Sequence, residues 1–177
     1  MQNVKIPVTI DPIRAAAKKL DYEGIISRAD FSRFADMVDS IENDIEVRVS
    51  FYEDLSGLHV FEGTARTSVV MTCQRCLERM NISLEAKFRY SPDEKLLRQL
   101  ELEDEFDCAE LNSFGEVHLY DIIEDELILS LPLIAKHPEE ECPAAGRIGT
   151  VGGDDMEQEG GNFPFRALGD LIKSKNN

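Results

Sequence analysis

Two cysteines in the middle of the chain have the spacing of a metal-binding turn. The sequence CQRC at 73–76 lies between two segments that alternate apolar and polar residues. A Cys-x-x-Cys turn between strands can direct two thiolates at one tetrahedral ion, and zinc commonly takes such ligands. His137 and Cys142, far along the chain, supply a candidate second pair that only the fold could bring close. We therefore predict a structural zinc site formed by Cys73, Cys76, His137 and Cys142.

Two other interpretations of these cysteines stay open. In the first, the turn binds no metal and its reduced thiols pack as small apolar side chains. In the second, Cys73 and Cys76 form a thioredoxin-like redox pair. That motif needs a helix N-terminus after the first cysteine to lower the thiol pKa, and here a strand is predicted. Cys108 has acidic neighbours, which disfavour a thiolate, so we interpret it as an incidental thiol.

Composition and charge exclude several classes of protein. The 177 residues are 42% hydrophobic, and 19 Lys and Arg stand against 35 Asp and Glu, for a net charge of -16. This charge argues against a generic basic nucleic-acid binder and against adsorption to an anionic membrane. No apolar run approaches the roughly 20 residues of a membrane-spanning helix, and residues 1–11 do not have the pattern of a signal peptide. We expect a cytoplasmic protein with no DNA or membrane partner.

The charge is unevenly distributed along the chain. Residues 64–100 carry 7 basic and 4 acidic side chains, whereas residues 101–159 carry 2 basic and 18 acidic ones. The basic stretch could form a small anion or RNA patch beside the cysteine turn, although an ordinary polar sheet face is the simpler interpretation. The acidic stretch is either a solvated surface or a surface for a basic partner. The candidate RNA-binding or partner-binding residues are Arg75, Arg79, Lys87, Arg89, Glu124, Asp125 and Glu126.

Hydrophobic periodicity predicts an α+β fold, with an antiparallel sheet core, packed helices and a flexible acidic C-terminal segment. Predicted strands cover 4–10, 45–51, 58–72 and 80–88, with a turn and a short strand over 114–119 and a bulge at Gly63. Predicted helices cover 12–20, 30–38, 91–100 and 120–130. The first of these has Asp11 as its cap and Pro12 as its first residue. The third begins with Ser91 as its cap and Pro92 as its first residue. Gly24 is expected to interrupt regular secondary structure after the first helix, and residues 101–110 are expected to form a loop. The carboxylates of 124–126 are expected to point mostly outward.

The same patterns divide the chain into three parts. Residues 1–137 are predicted to form a single α+β domain, and the acidic, Gly-rich stretch 138–161 a flexible linker. Residues 162–177 regain apolar spacing and are predicted to form a short C-terminal helix or tail.

Catalytic patterns are scarce in this sequence. The three histidines are scattered, and the metalloprotease, nucleophile-elbow and phosphate-loop motifs do not occur. Carboxylates are abundant, but they lie in runs typical of solvated surfaces, so no acid pair can be singled out. We predict no catalytic residue and no enzymatic activity.

Several blocks of the sequence resemble one known family, the large ribosomal RNA subunit accumulation protein YceD family. These blocks run nearly from end to end: KIPVTIDPIR at 5–14, LDYEGI at 20–25, TCQRC at 72–76, NSFGEV at 112–117, EDELILSLP at 124–132, the His137 and Cys142 pair, and NFPFRAL at 162–168. The resemblance implies a bacterial cytoplasmic protein that is needed for the synthesis, processing or stability of the large-subunit (23S) rRNA. It implies no established catalytic residue. Some relatives look richer in cysteine in the second half of the metal site, where this chain has one His and one Cys.

The net charge of the chain favours protein partners over direct RNA binding as the way in which such a protein acts. A chain of net charge -16 is a poor candidate for tight, unaided RNA binding at physiological salt. Ribosomal proteins are generally basic, so we expect the partners to be ribosomal proteins or pre-large-subunit particles, with only secondary or indirect contact to rRNA. Two other classes remain as alternatives: a direct RNA-binding module that uses the CxxC turn and the basic strand face, and a nuclease or redox enzyme.

Overall fold

The computed structural model describes residues 5–145 of the chain. The architecture is α+β, as predicted, and the described residues up to Cys142 belong to one compact unit. The predicted tail 162–177 and the part of the predicted linker beyond residue 145 lie outside the described residues, so both remain predictions.

Six of the described strands form one sheet, and four α-helices accompany it. The strands, in chain order, are β1 (Thr9–Ile10), β2 (Asp21–Ile26), β3 (Ser40–Ile41), β4 (Ile45–Glu53), β5 (His59–Thr72), β6 (Arg79–Ser91), β7 (Asp107–Cys108) and β8 (Val117–His118). The helices are α1 (Pro12–Ala17), α2 (Ser32–Ala35), α3 (Glu94–Leu100) and α4 (Leu119–Leu129), and Arg28–Asp30 forms a 3-10 turn.

The central sheet has the strand order β2-β4-β5-β6-β7, and β3 pairs with β5 beside β4. Its pairings are antiparallel except that of β6 with β7, which is parallel and covers two residues of each strand. Strands β1 and β8 pair in a separate two-stranded sheet. The long β4-β5-β6 meander confirms the three strands that alternation predicts, because most of their apolar side chains turn to one face.

The core lies between that apolar face and the helices. In β4, Ile45, Val47, Val49 and Phe51 are buried, while the residues between them face outward. Helix α4 contributes the buried Ile123 and Leu127, among other residues, to the same core. The other face of the sheet is mostly polar, but near α3 it carries a second, smaller buried cluster formed by Leu58, Val60 and Leu97.

The predicted start of the first helix is confirmed in atomic detail. The Asp11 carboxylate accepts a hydrogen bond from the Arg14 N–H at 2.9 Å, and Pro12 occupies the first helical position. The helix ends at Ala17, earlier than predicted, and Lys19 then has a left-handed backbone with φ of 50°. The chain reverses here and enters β2.

Two predictions about glycines are wrong. Gly24 does not break the chain but lies within β2, where it is buried and pairs with Val47 of β4. Gly63 forms no bulge, because its pairing with Val49 and Phe88 is continuous in register. A Cβ at Gly63 would collide with the backbone oxygen of Arg48 and the ring of Phe88, so this glycine permits a close approach within the core.

Two predictions about the stretch 91–110 are also corrected. Ser91 is the last residue of β6 rather than a helix cap, and α3 begins only at Glu94. Residues 101–110 are not entirely loop, since Asp107 and Cys108 extend the sheet as β7. The first error arises because the pairing of Ser91 with Cys108 outweighs the local cap signal, and the second because β6 gives this acidic stretch a strand partner.

Candidate metal centre

The CxxC motif lies at the tip of the β5-β6 hairpin. Cys73 follows directly after β5, and its N–H donates to the Glu78 carbonyl at 2.9 Å. The Leu77 N–H donates back to the Cys73 carbonyl at 2.8 Å, and Leu77 has a left-handed φ of 63°. These bonds close a tight turn in which the thiols of Cys73 and Cys76 lie close together.

The second half of the site comes from the irregular segment 131–145 that follows α4. Buried Ala135 anchors this segment, because its carbonyl accepts the N–H of Gln74 in the hairpin tip at 2.8 Å. A single turn then forms, in which the Cys142 N–H donates to the Pro138 carbonyl at 3.1 Å. That turn brings the side chains of His137 and Cys142 toward the hairpin tip.

The structure brings all four predicted ligands together. The donor atoms of Cys73, Cys76, His137 and Cys142 lie within 4.8 Å of one another. The Cys76 Sγ is 3.3 Å from the His137 Nδ1. In a tetrahedral zinc site with Zn–S bonds of about 2.3 Å, neighbouring sulfurs are roughly 3.8 Å apart, so these distances suit such an ion after small adjustments. The set of three thiols and one imidazole is a common structural zinc set.

The environment of the cysteines differs between the two members of the motif. Burial opposes ionisation of the Cys73 thiol, but the backbone N–H groups of Cys76, His137 and Arg75 stabilise its thiolate and lower its pKa to about 5. Burial and the neighbouring thiols of Cys73 and Cys142 raise the pKa of Cys76 instead. A divalent cation would relieve the repulsion among three sulfurs and allow all of them to ionise.

The hairpin geometry disfavours the redox interpretation. Cys73 and Cys76 are followed by β6, and no helix begins at the motif to stabilise a reactive thiolate. Cys73 is completely buried, so an external disulfide would not reach its sulfur easily, whereas Cys76 of the same pair is partly exposed. The structure thus favours metal ligation over thiol exchange.

Arg75, predicted to bind RNA or a partner, has its side chain turned largely inward. Its side chain is 14% exposed, and its Nη2 donates to the His137 carbonyl at 2.8 Å. Its Nη1 lies 4.0 Å from Glu139. The guanidinium therefore joins the two halves of the site, since Arg75 belongs to the hairpin tip and His137 to the segment after α4.

The other predicted cations lie on or near the open face of β6. Lys87 and Arg89 share that face, as alternation predicts, but each has an acidic neighbour: Lys87 lies 3.9 Å from Glu85, and Arg89 lies 3.0 Å from Glu62. Exposed Arg79, next to the hairpin tip, forms no ion pair within residues 5–145. The strand face is therefore largely charge-balanced.

The prediction that the acidic group of α4 points outward is wrong for Glu124. Its side chain is buried, accepting the Phe34 N–H at 3.0 Å and the Arg33 Nε–H at 2.8 Å. Glu124 thus holds the start of α2 against α4. Sequence alone could not show this, because a carboxylate in a charged run is ordinarily solvated.

Asp125 and Glu126 also have partners inside the fold. Exposed Asp125 accepts a bond from Arg33 at 2.7 Å. Glu126 accepts the Tyr90 hydroxyl at 2.6 Å, and its partial burial raises its pKa. Whether these residues bind a partner stays a prediction.

The short acidic stretch before β8 carries a group of exposed carboxylates beside the sheet. Within 101–110, every acidic side chain is exposed, and these residues are Glu101, Glu103, Asp104, Glu105, Asp107 and Glu110. Cys108 lies among them, and burial together with the nearby Glu94 raises its pKa. This direction agrees with the expectation that the surroundings of Cys108 disfavour its thiolate.

Sequence reasoning overlooked the residues that join the two halves of the site. Ala135 and Gln74 connect the hairpin tip to the distant segment through backbone atoms, which leave little trace in residue type. The apolar run LPLIA at 131–135 is the one available signal, since an apolar stretch after a helix needs a surface to cover it. None of the helices in 5–145 is long and apolar enough to cross a membrane.

Comparison with known proteins identifies one matching family and a relative similar over nearly the whole chain. The family described as "Large ribosomal RNA subunit accumulation protein YceD" matches residues 61–172, a range that includes all four donor residues. The protein of that name from Haemophilus influenzae is 37% identical over 171 residues, which cover 97% of this chain and 98% of the relative. A search of the solved structures gives no match. The chain therefore belongs to the family of large ribosomal RNA subunit accumulation proteins YceD.

Proposed function

We propose that the chain is a non-catalytic, cytoplasmic ribosome biogenesis factor that supports the synthesis, processing or stability of the 23S rRNA. The observation that carries this proposal is the similarity to a relative named for large-subunit rRNA accumulation, which extends over 97% of the chain. The partners are ribosomal proteins or pre-large-subunit particles, and contact with rRNA is secondary.

The exposed carboxylates of 101–110 support a basic protein as the partner. All six acidic side chains of that stretch face solvent, and the whole chain has a net charge of -16. A surface of one sign attracts proteins of the opposite sign and speeds their association. RNA would instead be repelled by the same field.

A structural zinc ion held by Cys73, Cys76, His137 and Cys142 completes the proposal. Zinc would cross-link the tip of the β5-β6 hairpin to the segment after α4, which otherwise has few backbone bonds to the rest of the fold. The ion would carry no catalytic step, since four protein ligands leave no open position for a substrate or water.

Metal content tests this part directly. Elemental analysis of the purified chain should give close to one zinc per chain, and Cys142→Ser should lose most of it. Cys108→Ser is the matched control, because Cys108 is exposed and lies outside the cluster, and it should keep the metal. Metal-free wild-type protein purified without chelator would refute the zinc site.

An affinity purification tests the partner. Tagged chain is captured from cell lysate with and without ribonuclease, and both the bound proteins and the bound RNA are identified. Ribosomal or assembly proteins should remain bound after ribonuclease. If every partner leaves with the RNA, binding runs through nucleic acid and the protein-partner proposal fails.

A direct RNA-binding module remains a second candidate, and one observation favours it. Exposed Arg79 lacks an ion-pair partner within the described residues and lies beside the CxxC turn. A gel shift with large-subunit RNA fragments at about 150 mM salt distinguishes the two, since phosphate contacts give a steep salt dependence. Arg79→Ala should then reduce binding, with the ion-paired Lys87→Ala as comparison.

A further inference from the structure

The outer edge of β6 is open over most of its length. Strand β6 spans 13 residues, and β7 pairs with only its last two, Tyr90 and Ser91. Among the described residues, no backbone group other than those of β5 bonds to β6 over 79–89. Half of the N–H and C=O groups in that stretch therefore face away from the sheet without a strand partner.

A groove runs along this open edge next to the metal centre. One wall is the beginning of β6, including Met80 and Ile82, and the other is the segment after α4, including Pro132, Ile134 and Pro138. The groove encloses about 670 Å³ and is open to solvent along one side. Its lining is mixed, because the apolar side chains of both walls alternate with polar ones such as Asn81 and Ser83.

The apolar stripe of β6 continues beyond the core into this groove. Leu84, Ala86 and Phe88 are buried, whereas Met80 and Ile82 on the same face are only half-buried. The facing wall adds Ile134, which is 52% exposed. The groove thus leaves apolar surface uncovered beside a strand that can still form hydrogen bonds.

Exposed carboxylates outnumber exposed cations in and next to the groove. Glu141 lines it together with the exposed cations Arg79 and Lys136, and three further exposed carboxylates adjoin lining residues in sequence. Arg75 does not add to them, because its guanidinium bonds inward to His137. The carboxylates are Glu78, Glu139, Glu140 and Glu141.

We propose that this groove binds an extended, basic segment of a ribosomal or assembly protein, which adds as a further strand to the open edge of β6. Main-chain bonds to β6 give affinity, and alternate apolar side chains of the segment fill the space between Ile82 and Ile134. The excess of carboxylates in and next to the groove selects a segment rich in Lys and Arg. This inference rests on the proposed function and names the surface through which that function operates.

Peptide binding to the full-length chain tests the proposal. Short fluorescein-labelled peptides that tile the large-subunit ribosomal proteins are titrated with the chain, and binding is followed by fluorescence anisotropy. Basic peptides with alternating apolar residues should bind, and hydrogen exchange of the β6 amides over 79–85 should slow on binding. Ile134→Asp should weaken binding by about tenfold or more, because it places a charge in the apolar wall.

Ile25→Asp is the matched control for that variant. Ile25 is 58% exposed on β2, at the opposite edge of the sheet, so its replacement should leave peptide affinity unchanged. Ile134→Ala should give a smaller loss in the same direction, and it guards against a folding defect in the charged variant. Thermal unfolding of each variant checks that the fold is retained.

Several results would overturn the proposal. They are the absence of any bound peptide, equal affinity of wild type and Ile134→Asp, and slowed exchange at β2 instead of β6. Binding of an rRNA fragment in place of a peptide, or a dimer of this chain that Ile134→Asp dissociates, would identify a different occupant.

Measurement of 23S rRNA in cells separates this inference from the proposed function. Cells that lack the chromosomal copy of the gene are complemented with wild type, Ile134→Asp or Ile25→Asp. If wild type restores 23S rRNA and Ile134→Asp does so equally well, the groove proposal fails and the function stands. If deletion leaves 23S rRNA unchanged, the function itself fails.

Discussion

Removal of the metal should destabilise the fold by an amount that the chain topology sets. Cys76 and His137, which the ion would join, are 61 residues apart in sequence. If the ion acts as a cross-link that closes a loop of this length, its removal lowers the free energy of unfolding by about 4 kcal/mol. For a domain of this size, each kcal/mol shifts Tm by about 2–4 °C, so the expected decrease is about 8–16 °C.

Thermal unfolding followed by circular dichroism measures this effect. Wild type is heated with and without a zinc chelator, and Cys142→Ser is heated under the same conditions. The variant should unfold at a temperature near that of chelated wild type and should not respond further to the chelator. Cys108→Ser should behave like wild type in both conditions, because Cys108 lies outside the cluster.

A small effect would refute the reasoning. If chelation lowers Tm by less than about 2 °C, which is under 1 kcal/mol for such a domain, the four residues do not form a metal cross-link. The same conclusion follows if Cys142→Ser and Cys108→Ser are equally stable. The metal-free thiol turn would then be the correct interpretation.

Three further predictions concern the sheet, its helices and the acidic surface. Glu124→Ala should lower the free energy of unfolding by about 1–3 kcal/mol, because it leaves the buried N–H of Phe34 without an acceptor. Urea titration measures this change. As a control, replacement of the exposed Asp125 by Ala should lower the same free energy by less than about 0.5 kcal/mol. Gly63→Ala should cost about 1–3 kcal/mol in the same assay, because its Cβ meets the Arg48 carbonyl oxygen; an unchanged midpoint would contradict that contact. Reversing several charges within 101–110 should lower the association rate with a basic ribosomal protein by about tenfold at low salt and weaken the salt dependence of that rate. Surface plasmon resonance measures both quantities. Unchanged rates would show that these carboxylates do not attract the partner.

Local sequence signals were sufficient for the long elements of this fold. The meander of β4, β5 and β6 follows from period-two alternation, because one face of each strand must be buried. The cap at Asp11 follows from residue types that satisfy the first N–H groups of a helix. The hairpin position of the CxxC turn follows in turn from the two strands on either side.

The short elements could not be predicted in the same way. β2 contains a glycine and β7 has only two residues, so neither has a convincing pattern of its own. Each forms because a long neighbouring strand offers unpaired backbone groups to it. The same competition moved the start of α3 from Ser91 to Glu94.

For the candidate metal centre, the sequence by itself determined the donor types and the geometry of one half. The CxxC spacing places two thiols on one turn regardless of the rest of the chain. Only the tertiary structure decided that His137 and Cys142 complete the set, since bringing them to Cys73 and Cys76 requires α4 to pack on the sheet and Ala135 to bond to the hairpin tip. Tertiary packing likewise decided which charged side chains face solvent. It buried Glu124, although other glutamates of the same chain are exposed. Residue type states what a side chain can do, but contacts between distant segments decide its solvation and its partners.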